Sequence, residues 1–354
     1  MKRVKICLAG PGNVGKHFVK LLIERNELFK KQYGIDLQLF AVAGSKGGVI
    51  SSSPLDLEKV YHYSSQEPWK SYFPGYGIDD LKSWQIISDS ETDLLVEATP
   101  SDLKTGEPGL TNFKAAIKAG INIVTLAKGA LVTDFAGLMK NAAKQNLSIK
   151  FSGATAAALP TVDIAHYCLA GATIKKISGI LNGTTNYILT KMAREGVDFN
   201  TALKEAQKMG VAEPKPDLDI EGWDTAAKIV IITNATFGSE LSLKDISVAG
   251  IKEVTLERIE EASLKGKTIK LIGESGLENN RYKQTNQDTK NKVFVKPLAL
   301  ENHHTLARVD GTTKAIHFET DIFGDLTVVG GKSDPRAAAA AAIKDIINLA
   351  RERF

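Results

Sequence analysis

The first part of the chain alternates between short apolar runs and longer stretches in which apolar residues recur at helical spacing. In the first such stretch, Val14, Phe18, Leu21 and Leu22 fall on one face of a helix. Strands that alternate with helices predict a parallel sheet with both faces covered. The predicted strands are 4–9, 37–44, 93–100, 121–128 and 147–153, and the predicted helices are 13–32, 113–120 and 134–145.

The pattern changes in the middle of the chain. Residues 174–192 join a β-branched strand to a helix through an Asn-Gly turn, and residues 225–236 predict a largely buried helix. The polar segment 275–292 lacks periodicity and predicts an exposed loop or hairpin tip. Asp334 as N-cap and Pro335 in the first turn predict a terminal helix. The remaining β runs are 293–300, 315–323 and 325–331, and the terminal helix is 334–354.

Composition is that of an ordinary globular chain with two domains. The 354 residues exceed what one core usually serves, and 43% are hydrophobic and 24% charged. The formal net charge is +4, and no basic stripe alternates with aromatics, which argues against a nucleic-acid partner. No apolar run reaches the ~18–20 residues of a membrane span, so no membrane partner is expected.

The cellular compartment is indicated by the N-terminus and the cysteines. The N-terminal apolar run breaks at Gly10, too early for a signal peptide. The two cysteines, Cys7 and Cys168, both stand in contexts that predict burial, which indicates a reducing compartment and most simply the cytoplasm. The six histidines show no metal-ligand spacing, so no histidine metal site is expected.

A glycine-rich turn joins the first predicted strand to the first predicted helix. Gly10, Gly12 and Gly15 form the pattern G-x-G-x-x-G, and Asn13 and Val14 open the helix. The first glycine permits the tight turn, the second lets the backbone approach a pyrophosphate, and the third lets helix and strand pack closely. The helix N-terminus adds partial positive charge. This context predicts a Rossmann dinucleotide-binding domain, with a purely structural glycine turn as the alternative.

The end of the second predicted strand bears on which dinucleotide binds. An acid there usually holds the ribose 2′-hydroxyl of NAD, but this strand ends Ala43-Gly44-Ser45-Lys46. Ser45 and Lys46 are suited to a 2′-phosphate, which favours NADP and leaves NAD as the second choice. The alternative is that Lys46 is a solvated loop lysine.

The segment VAEPKPDLDIEGWDTAAK (211–228) holds five carboxylates. The residues alone leave two interpretations open: a solvated acidic loop, or charges directed at one small cationic ligand. Asp224 and Lys228 are four residues apart, so on a helix they share a face, where an exposed pair contributes only ~0.2–0.5 kcal/mol. A lysine exchanges protons near neutrality only if burial or a neighbouring cation lowers its pKa.

Three segments resemble homoserine dehydrogenases, particularly the short form: ATPSDLKTGEPGL (98–110), ILNGTTNYIL (180–189) and AEPKPDLDIEGWDTAAK (212–228). The resemblance implies reversible NAD(P)-dependent oxidation of L-homoserine to L-aspartate 4-semialdehyde, a step of threonine and methionine biosynthesis, by a homodimer. Longer members carry a C-terminal regulatory domain, for which a chain ending at Phe354 leaves no room. The expected domains are a dinucleotide-binding domain of residues 1–150, completed by 332–354, and an α+β substrate-binding and dimerisation domain of residues 151–331.

The resemblance also implies roles for individual residues. Lys128 matches a lysine near the nicotinamide and the reacting carbon, although without the resemblance it would be a solvated lysine at a strand end. Lys228 matches a lysine that exchanges the proton of the reacting hydroxyl. Glu213, Asp219 and Asp224 match acids of the pocket that holds the substrate and its ammonium group. The substrate-lining residues are Asn182, Gly183 and Thr184, the cofactor-lining residues are Thr99, Pro100, Ser101 and Gly331, and the acids without a role, expected to face solvent, are Asp217 and Glu221.

Three segments depart from the family pattern. Ala127 replaces the Asn that usually precedes the lysine matching Lys128. Ser152 replaces a Glu that helps hold a monovalent cation, and alanines 156–158 replace glycines, which puts the cation site in question and restricts the backbone. Lys332, with Ser333, stands where small residues are usual, so it either contacts a cofactor phosphate or crowds the nicotinamide.

These departures keep two rival functions open. One is an oxidoreductase of the same architecture that acts on another small hydroxy or semialdehyde substrate. The other is a non-catalytic nucleotide-binding protein, which the complete set of Lys128, Glu213, Asp219, Asp224 and Lys228 disfavours.

Overall fold

The computed structural model describes residues 1–63, 66, 68–277 and 291–353. Within these residues the chain divides into two units. Unit 1 comprises Met1–Ala158 together with Asp334–Phe354, and unit 2 comprises Leu159–Ser333. No helix in this part of the chain is long and apolar enough to cross a membrane.

Unit 1 is built on a seven-stranded sheet with the order β4-β3-β2-β1-β5-β6-β7. The five strands from β2 to β7 in this order are parallel, which confirms the predicted α/β class. The elements before unit 2 are β1 (Lys2–Ala9), α1 (Asn13–Tyr33), β2 (Ile35–Gly44), β3 (Gly47–Ile50), α2 (Leu57–Tyr63), α3 (Trp69–Tyr72), β4 (Gly77–Asp79), α4 (Ser83–Asp89), β5 (Leu94–Glu97), α5 (Gly109–Lys118), β6 (Asn122–Thr125), α6 (Gly129–Lys144), β7 (Ile149–Lys150) and α7 (Ser152–Ala156).

The prediction of a wholly parallel sheet was wrong at one edge. Ser45 and Lys46 form a two-residue turn between β2 and β3, with Gly44 paired to Gly47, and a turn this short can only join antiparallel neighbours. The strand predicted over 121–128 ends at Thr125, because the Thr125 hydroxyl bonds the backbone of Ala127 and turns the chain towards α6.

Unit 2 is built on a six-stranded sheet with the order β13-β12-β8-β10-β11-β9, antiparallel except between β11 and β9. A helix packs on one face, where a Cβ on Gly273 would contact Thr225 and Ile229. The elements are β8 (Ile174–Ile180), α8 (Gly183–Glu195), α9 (Phe199–Lys208), α10 (Asp217–Ile220), α11 (Trp223–Phe237), β9 (Ser247–Val248), α12 (Leu256–Leu264), β10 (Lys267–Leu277), β11 (Asn291–Glu301), β12 (Lys314–Thr320) and β13 (Asp325–Gly330).

The predictions of an exposed loop over 275–292 and of buried cysteines have different outcomes. Of the predicted loop 275–292, residues 278–290 lie outside the described residues, and the flanking residues end the paired strands β10 and β11. Cys168 is exposed, against the prediction of burial, because it ends a π-helical turn, Ile164–Cys168, on the surface beside exposed Tyr167. Cys7 is buried in β1.

The last helix, α13 (Pro335–Arg353), returns to unit 1. Asp334 caps it, because its carboxylate accepts a hydrogen bond of 2.7 Å from the amide of Ala337. Its alanine-rich face allows a close approach to α1, since the distance between packed helices depends on the side chains at the contact. The core residues that it contributes are Ala339, Ala342, Ile343, Ile346, Ile347, Leu349 and Ala350, packed with Phe18, Leu22 and residues of β1 and β2.

Candidate active site

The glycine-rich turn between β1 and α1 is fixed by steric necessity at Gly10 and Gly15. Gly10 has a φ of +86°, and a Cβ on it would lie 2.6 Å from the carbonyl carbon of Ala98 and from the amide nitrogen of Thr99. A Cβ on Gly15 would overlap the carbonyl oxygen of Gly10, so α1 packs directly on the turn. A Cβ on Gly12 would meet nothing within 4 Å. Gly10 and Gly15 therefore serve the fold, whereas the space at Gly12 is open to a ligand.

A cavity of about 640 Å³ lies at this turn, where β1, β2 and β5 end. Its volume is in the ligand-pocket range of ~300–1,000 Å³, and open α/β sheets bind their ligands at the carboxyl ends of their strands. The cofactor residues predicted from sequence that line it are Gly10, Gly12, Ser45, Thr99 and Pro100, and the lining residues that the sequence did not reveal include Trp69, Lys82, Ser83, Trp84, Thr111 and Asn112.

The β2–β3 turn explains why no acid follows β2. A Cβ on Gly44 would lie 2.7 Å from the Trp69 ring, and one on Gly47 would lie 2.9 Å from it, so the turn is packed on this indole. Ser45 lines the cavity, but Lys46 is not among its lining residues, whereas the exposed Lys82 is. The basic residue that lines the cavity, Lys82, is thus distant in sequence from the end of β2, where Rossmann folds usually carry the residue that contacts the ribose.

A buried acid at the end of β5, Glu97, organises one wall of the cavity. Its carboxylate accepts hydrogen bonds from the Thr99 amide at 2.8 Å, from the Thr99 hydroxyl, and from Asn112 Nδ2 at 2.8 Å. Asn112 Oδ1 in turn accepts from the Ser83 hydroxyl at 2.7 Å. Burial raises the pKa of the Glu97 carboxyl, against the effect of these hydrogen bonds. An acid that ends the otherwise apolar run LLVE was the signal in the sequence.

Lys128 lies at the start of α6 and not in a strand. Its backbone amide donates a hydrogen bond of 2.8 Å to the Ser101 hydroxyl, and its side chain is half-buried. This bond joins Lys128 and Ser101, which were both predicted for the cofactor site. Ser101 directly follows Thr99 and Pro100, which line the cavity. Asn13, Val14 and Gly15 begin α1 directly after the glycine-rich turn.

The segment that departs from the family pattern has a distinct local structure. The Ser152 amide and hydroxyl donate to the buried carboxylate of Asp345 at 2.9 and 2.8 Å, and Lys344 Nζ donates to the Ser152 hydroxyl at 2.8 Å. Ala157 has a φ of +52°, a region that favours glycine, so its methyl group carries backbone strain. No group of three or more His, Cys, Asp or Glu side chains in the described part of the chain is arranged to hold a metal ion.

Four residues of unit 2 form one hydrogen-bonded network, the acid–lysine network: Asn182, Asp219, Asp224 and Lys228. Lys228 Nζ lies 2.6 Å from Asp224 Oδ2, one turn away on α11, and donates to the carbonyl oxygen of Leu181 at 2.8 Å. Asn182 Nδ2 donates to Asp219 Oδ1 at 2.7 Å and to Asp224 Oδ2 at 2.8 Å. The Asp224 and Lys228 side chains are each 15% exposed, which excludes an ordinary surface ion pair but leaves an opening for a small molecule.

The charges of the acid–lysine network are dominated by acids. Burial and the neighbouring Asp224 raise the pKa of Asp219, while the Asn182 hydrogen bond and Lys228 lower it. Glu213 is exposed but close enough to raise it further. An excess of carboxylates beside one ammonium group is suited to a cationic ligand.

The other residues predicted for the substrate site lie around the acid–lysine network or turn away from it. A Cβ on Gly183 would lie 2.8 Å from the Thr312 carbonyl oxygen and 3.6 Å from Ser333 Oγ, so the N-terminus of α8 contacts the end of unit 2. Thr184 donates its hydroxyl to the Val211 carbonyl oxygen at 2.9 Å. Gly331, which was predicted for the cofactor site, follows β13 with a φ of +74°. Exposed Asp217 and Glu221 are not simply solvated, because they pair with Lys252 at 3.3 and 2.7 Å.

This chain is similar to known proteins over nearly its whole length. A family model for homoserine dehydrogenase matches residues 160–347. A homoserine dehydrogenase from Methanocaldococcus jannaschii is 37% identical over 347 residues, which are 97% of this chain and 98% of the relative. An NAD(+)-dependent homoserine dehydrogenase from Pseudomonas canavaninivorans is 31% identical, over 99% of this chain and 97% of the relative.

Solved structures give the same result for the fold. A crystal structure of a homoserine dehydrogenase from Thiobacillus denitrificans superposes with a TM-score of 0.81 at 26% identity, over 99% of this chain and 74% of that one. The resemblance inferred from three short segments is thereby confirmed. The chain belongs to the homoserine dehydrogenase family, whose members are NAD(P)-dependent oxidoreductases that act on a CH–OH group.

Proposed function

We propose that unit 1 holds the nicotinamide cofactor and that unit 2 holds L-homoserine, which this chain oxidises reversibly to L-aspartate 4-semialdehyde. The observation that carries the assignment of the substrate is the acid–lysine network. L-Homoserine offers an ammonium group, a carboxylate and a hydroxyl that must lose a proton as hydride leaves. Asp219 and Glu213 supply negative charge for the ammonium group, and Lys228 supplies a nitrogen that takes the hydroxyl proton.

Lys228 and Asp224 act as a pair in this proposal. The Asp224 carboxylate and the Leu181 carbonyl oxygen fix the Lys228 ammonium group by two hydrogen bonds of 2.6 and 2.8 Å. In the oxidative direction the neutral amine form of Lys228 accepts the proton of the reacting hydroxyl, and in the reductive direction the ammonium form returns that proton to the carbonyl oxygen. A bound oxidised nicotinamide would supply the hydride acceptor for the carbon that carries the hydroxyl. For Lys128, on unit 1, we propose a place near the nicotinamide.

The residues of unit 1 suit a dinucleotide. The open side of Gly12, the N-terminus of the 21-residue α1 and the cavity at the strand ends accommodate a pyrophosphate and a nucleoside. The cofactor contacts proposed here are Gly10, Gly12, Asn13, Val14, Gly15, Ser45, Lys46, Thr99, Pro100, Ser101, Lys128 and Gly331.

We further propose that NADP is preferred over NAD. β2 ends without an acid, and Ser45 and Lys82 line the cavity beside that strand end, with Lys46 in the same turn. The positive charge of these lysines and the absence of an acid at the end of β2 both favour a 2′-phosphate over a 2′-hydroxyl. NAD remains the alternative, since one relative is named for it.

A homodimer formed through the sheet of unit 2 is the proposed assembly. β13 is an edge strand of that sheet, and Val329 on it is 50% exposed. The hairpin tip before β13 carries Ile322 and Phe323, which are 69% and 58% exposed. An unpaired edge with exposed apolar side chains is suited to a second copy of the same chain.

The function is tested by following reduced nicotinamide at alkaline pH, with purified protein, L-homoserine, and NADP or NAD. Lys228→Met should lower kcat by ~10²-fold or more, because a positioned proton acceptor contributes ~10²–10⁴-fold. Lys252→Met is the matched control, since that lysine pairs with exposed acids outside the acid–lysine network and should leave kcat nearly unchanged.

Two results would contradict the proposal in different ways. No turnover of L-homoserine with either cofactor, although the protein binds the cofactor, would replace the proposed function by one of its rivals. Normal kcat for Lys228→Met would remove that lysine from proton exchange and leave the activity in place.

A further inference from the structure

The side chain of Asn182 has no donor proton left for a substrate. Its two amide protons are donated to Asp219 at 2.7 Å and to Asp224 at 2.8 Å. Its oxygen accepts from the Thr185 amide at 2.9 Å, and the Thr185 hydroxyl lies 3.2 Å from both this oxygen and the Asn182 carbonyl oxygen. An asparagine side chain offers only two donor protons, so both are used. Only 6% of the residue is exposed.

Asn182 lies where three charged side chains converge. Leu181, its neighbour in the chain, supplies the carbonyl oxygen that receives the Lys228 ammonium group at 2.8 Å. The turn between β8 and α8 therefore contacts Lys228, Asp219 and Asp224 through two consecutive residues. Since the Asn182 oxygen also caps α8 at the Thr185 amide, the turn has a fixed orientation from which the amide protons reach both carboxylates.

Two like charges share this single amide group. Asp224 has Lys228 as a second partner, whereas Asp219 sits half-buried and is repelled by Asp224 and Glu213. The Asn182 hydrogen bond and the charge of Lys228 oppose this and lower the pKa of Asp219. A hydrogen bond to a carboxylate stabilises its charged form, so its removal favours protonation.

We propose that Asn182 is a positioning residue, whose amide group holds Asp219 and Asp224 in the ionised arrangement that receives the substrate's ammonium group, and that it does not itself bind substrate. This inference rests on the proposed function for the identity of the substrate. It assigns Asn182 a role different from the substrate-lining role that the family resemblance implies.

The test separates this role from helix capping. Asn182→Ser keeps a side chain that caps a helix well but lacks the two amide protons, and Asn182→Ala loses both functions. Asn182→Ser should melt close to the wild type, and its KM for L-homoserine should rise by about tenfold in the acidic range, the factor expected for a lost hydrogen bond to a charged group. The rise in KM on acidification should begin at higher pH than in the wild type, and the difference should shrink at alkaline pH, where Asp219 is ionised in both proteins.

A second measurement does not depend on turnover. The titration of Asp219 is followed by ¹³C NMR of protein labelled at its aspartate carboxyl groups, with Asp219→Asn to assign the signal. In Asn182→Ser the Asp219 midpoint should move to higher pH. Glu213→Gln, combined with Asn182→Ser, checks that the shift does not come from Glu213, and the shift should persist in the double variant.

The outcomes are distinct. An unchanged Asp219 midpoint in Asn182→Ser overturns the proposal, as does a rise in KM that is equal at all pH values and accompanied by a lower melting temperature. A third outcome is a shifted Asp219 midpoint in Asn182→Ser together with a wild-type protein that does not oxidise L-homoserine. This outcome supports the positioning role and contradicts only the proposed function. NADP affinity, which depends on unit 1, should be the same in all variants.

Discussion

Lys82 and Lys46 are the two basic residues from which a contact to a 2′-phosphate can be proposed. Lys46 belongs to the β2–β3 turn beside Ser45, and Lys82 lies just before α4 and lines the cavity. A lysine is a compact point charge on a flexible stem, so its reach into a cavity matters more than its distance in sequence from the strand end. Lys82, which lines the cavity, should therefore contribute more to the binding of a 2′-phosphate than Lys46.

Replacing each lysine by alanine distinguishes the two. Lys82→Ala should weaken the binding of 2′,5′-ADP by about tenfold, because one charge-assisted hydrogen bond to phosphate is lost. The same variant should leave the binding of 5′-AMP unchanged, and Lys46→Ala should have the smaller effect on 2′,5′-ADP. Isothermal titration calorimetry measures all of these affinities. A larger effect of Lys46→Ala would return the 2′-phosphate contact to the turn.

Single residues could be predicted from sequence where their partners are close in the chain. The spacing of Asp224 and Lys228 puts them one turn apart on a helix, and the structure places them in contact. The Asn182 hydrogen bonds to Asp219 and Asp224 join residues about forty positions apart, which no local pattern reveals. Glu97 was missed for the same reason, since this residue ends β5 and its partner Asn112 lies 15 positions further along the chain, in α5.

At the scale of elements, the junction of β1 and α1 combines two different demands on glycine. Gly15 is required by packing, because a side chain there overlaps the carbonyl oxygen of Gly10. Gly12 has open space beside it and a φ of −77°, which any residue adopts. The fold therefore tolerates a methyl group at Gly12, and only a bound dinucleotide would contact it.

These two glycines make a matched pair of variants. Gly12→Ala should unfold with nearly the wild-type free energy, within ~0.5 kcal/mol, and should bind NADP more weakly. Gly15→Ala should lose ~1–3 kcal/mol of stability, because α1 must move away from the turn. Urea unfolding and calorimetric titration with NADP check both. Full NADP affinity in Gly12→Ala would place the pyrophosphate elsewhere.

Elements with a long periodic pattern could be predicted, and short ones could not. The helix predicted over 13–32 is α1 (Asn13–Tyr33), and the one predicted over 225–236 is α11 (Trp223–Phe237). Between residues 46 and 90 the structure has two very short strands, β3 with four residues and β4 with three. Their pairing depends on packing around Trp69 and not on a periodic pattern. The unexpected side of the cavity, including Lys82 and Trp84, comes from this segment.

At the scale of the whole molecule, the proposed dimer places the exposed apolar side chains of unit 2 in an interface. The hairpin tip with Ile322 and Phe323 and the edge strand β13 lie next to each other in the chain. Buried against a second copy, each such side chain would contribute ~1.5–3 kcal/mol. An aspartate at the tip would instead bring an unpaired charge into the interface.

Sedimentation velocity at micromolar concentration tests this assembly. The wild type should sediment as a dimer, and Ile322→Asp should shift the equilibrium towards the monomer without changing the melting of the monomer. Leu264→Asp is the control, because Leu264 is 89% exposed at the end of α12 and belongs to neither β13 nor the hairpin tip before it. A monomeric wild type, or equal effects of both variants, would contradict dimerisation through β13.

The fold class could be predicted from periodicity, because alternating strands and helices have few packed solutions. The return of α13 to unit 1 has a consequence for synthesis on the ribosome. A chain folds from its N-terminus as it emerges, yet the core around Phe18 and Leu22 is completed by Ile346 and Leu349. Unit 2 is therefore fully synthesised, and free to fold, before unit 1 can close its core, so the cofactor-binding unit is the last part of a nascent chain to mature.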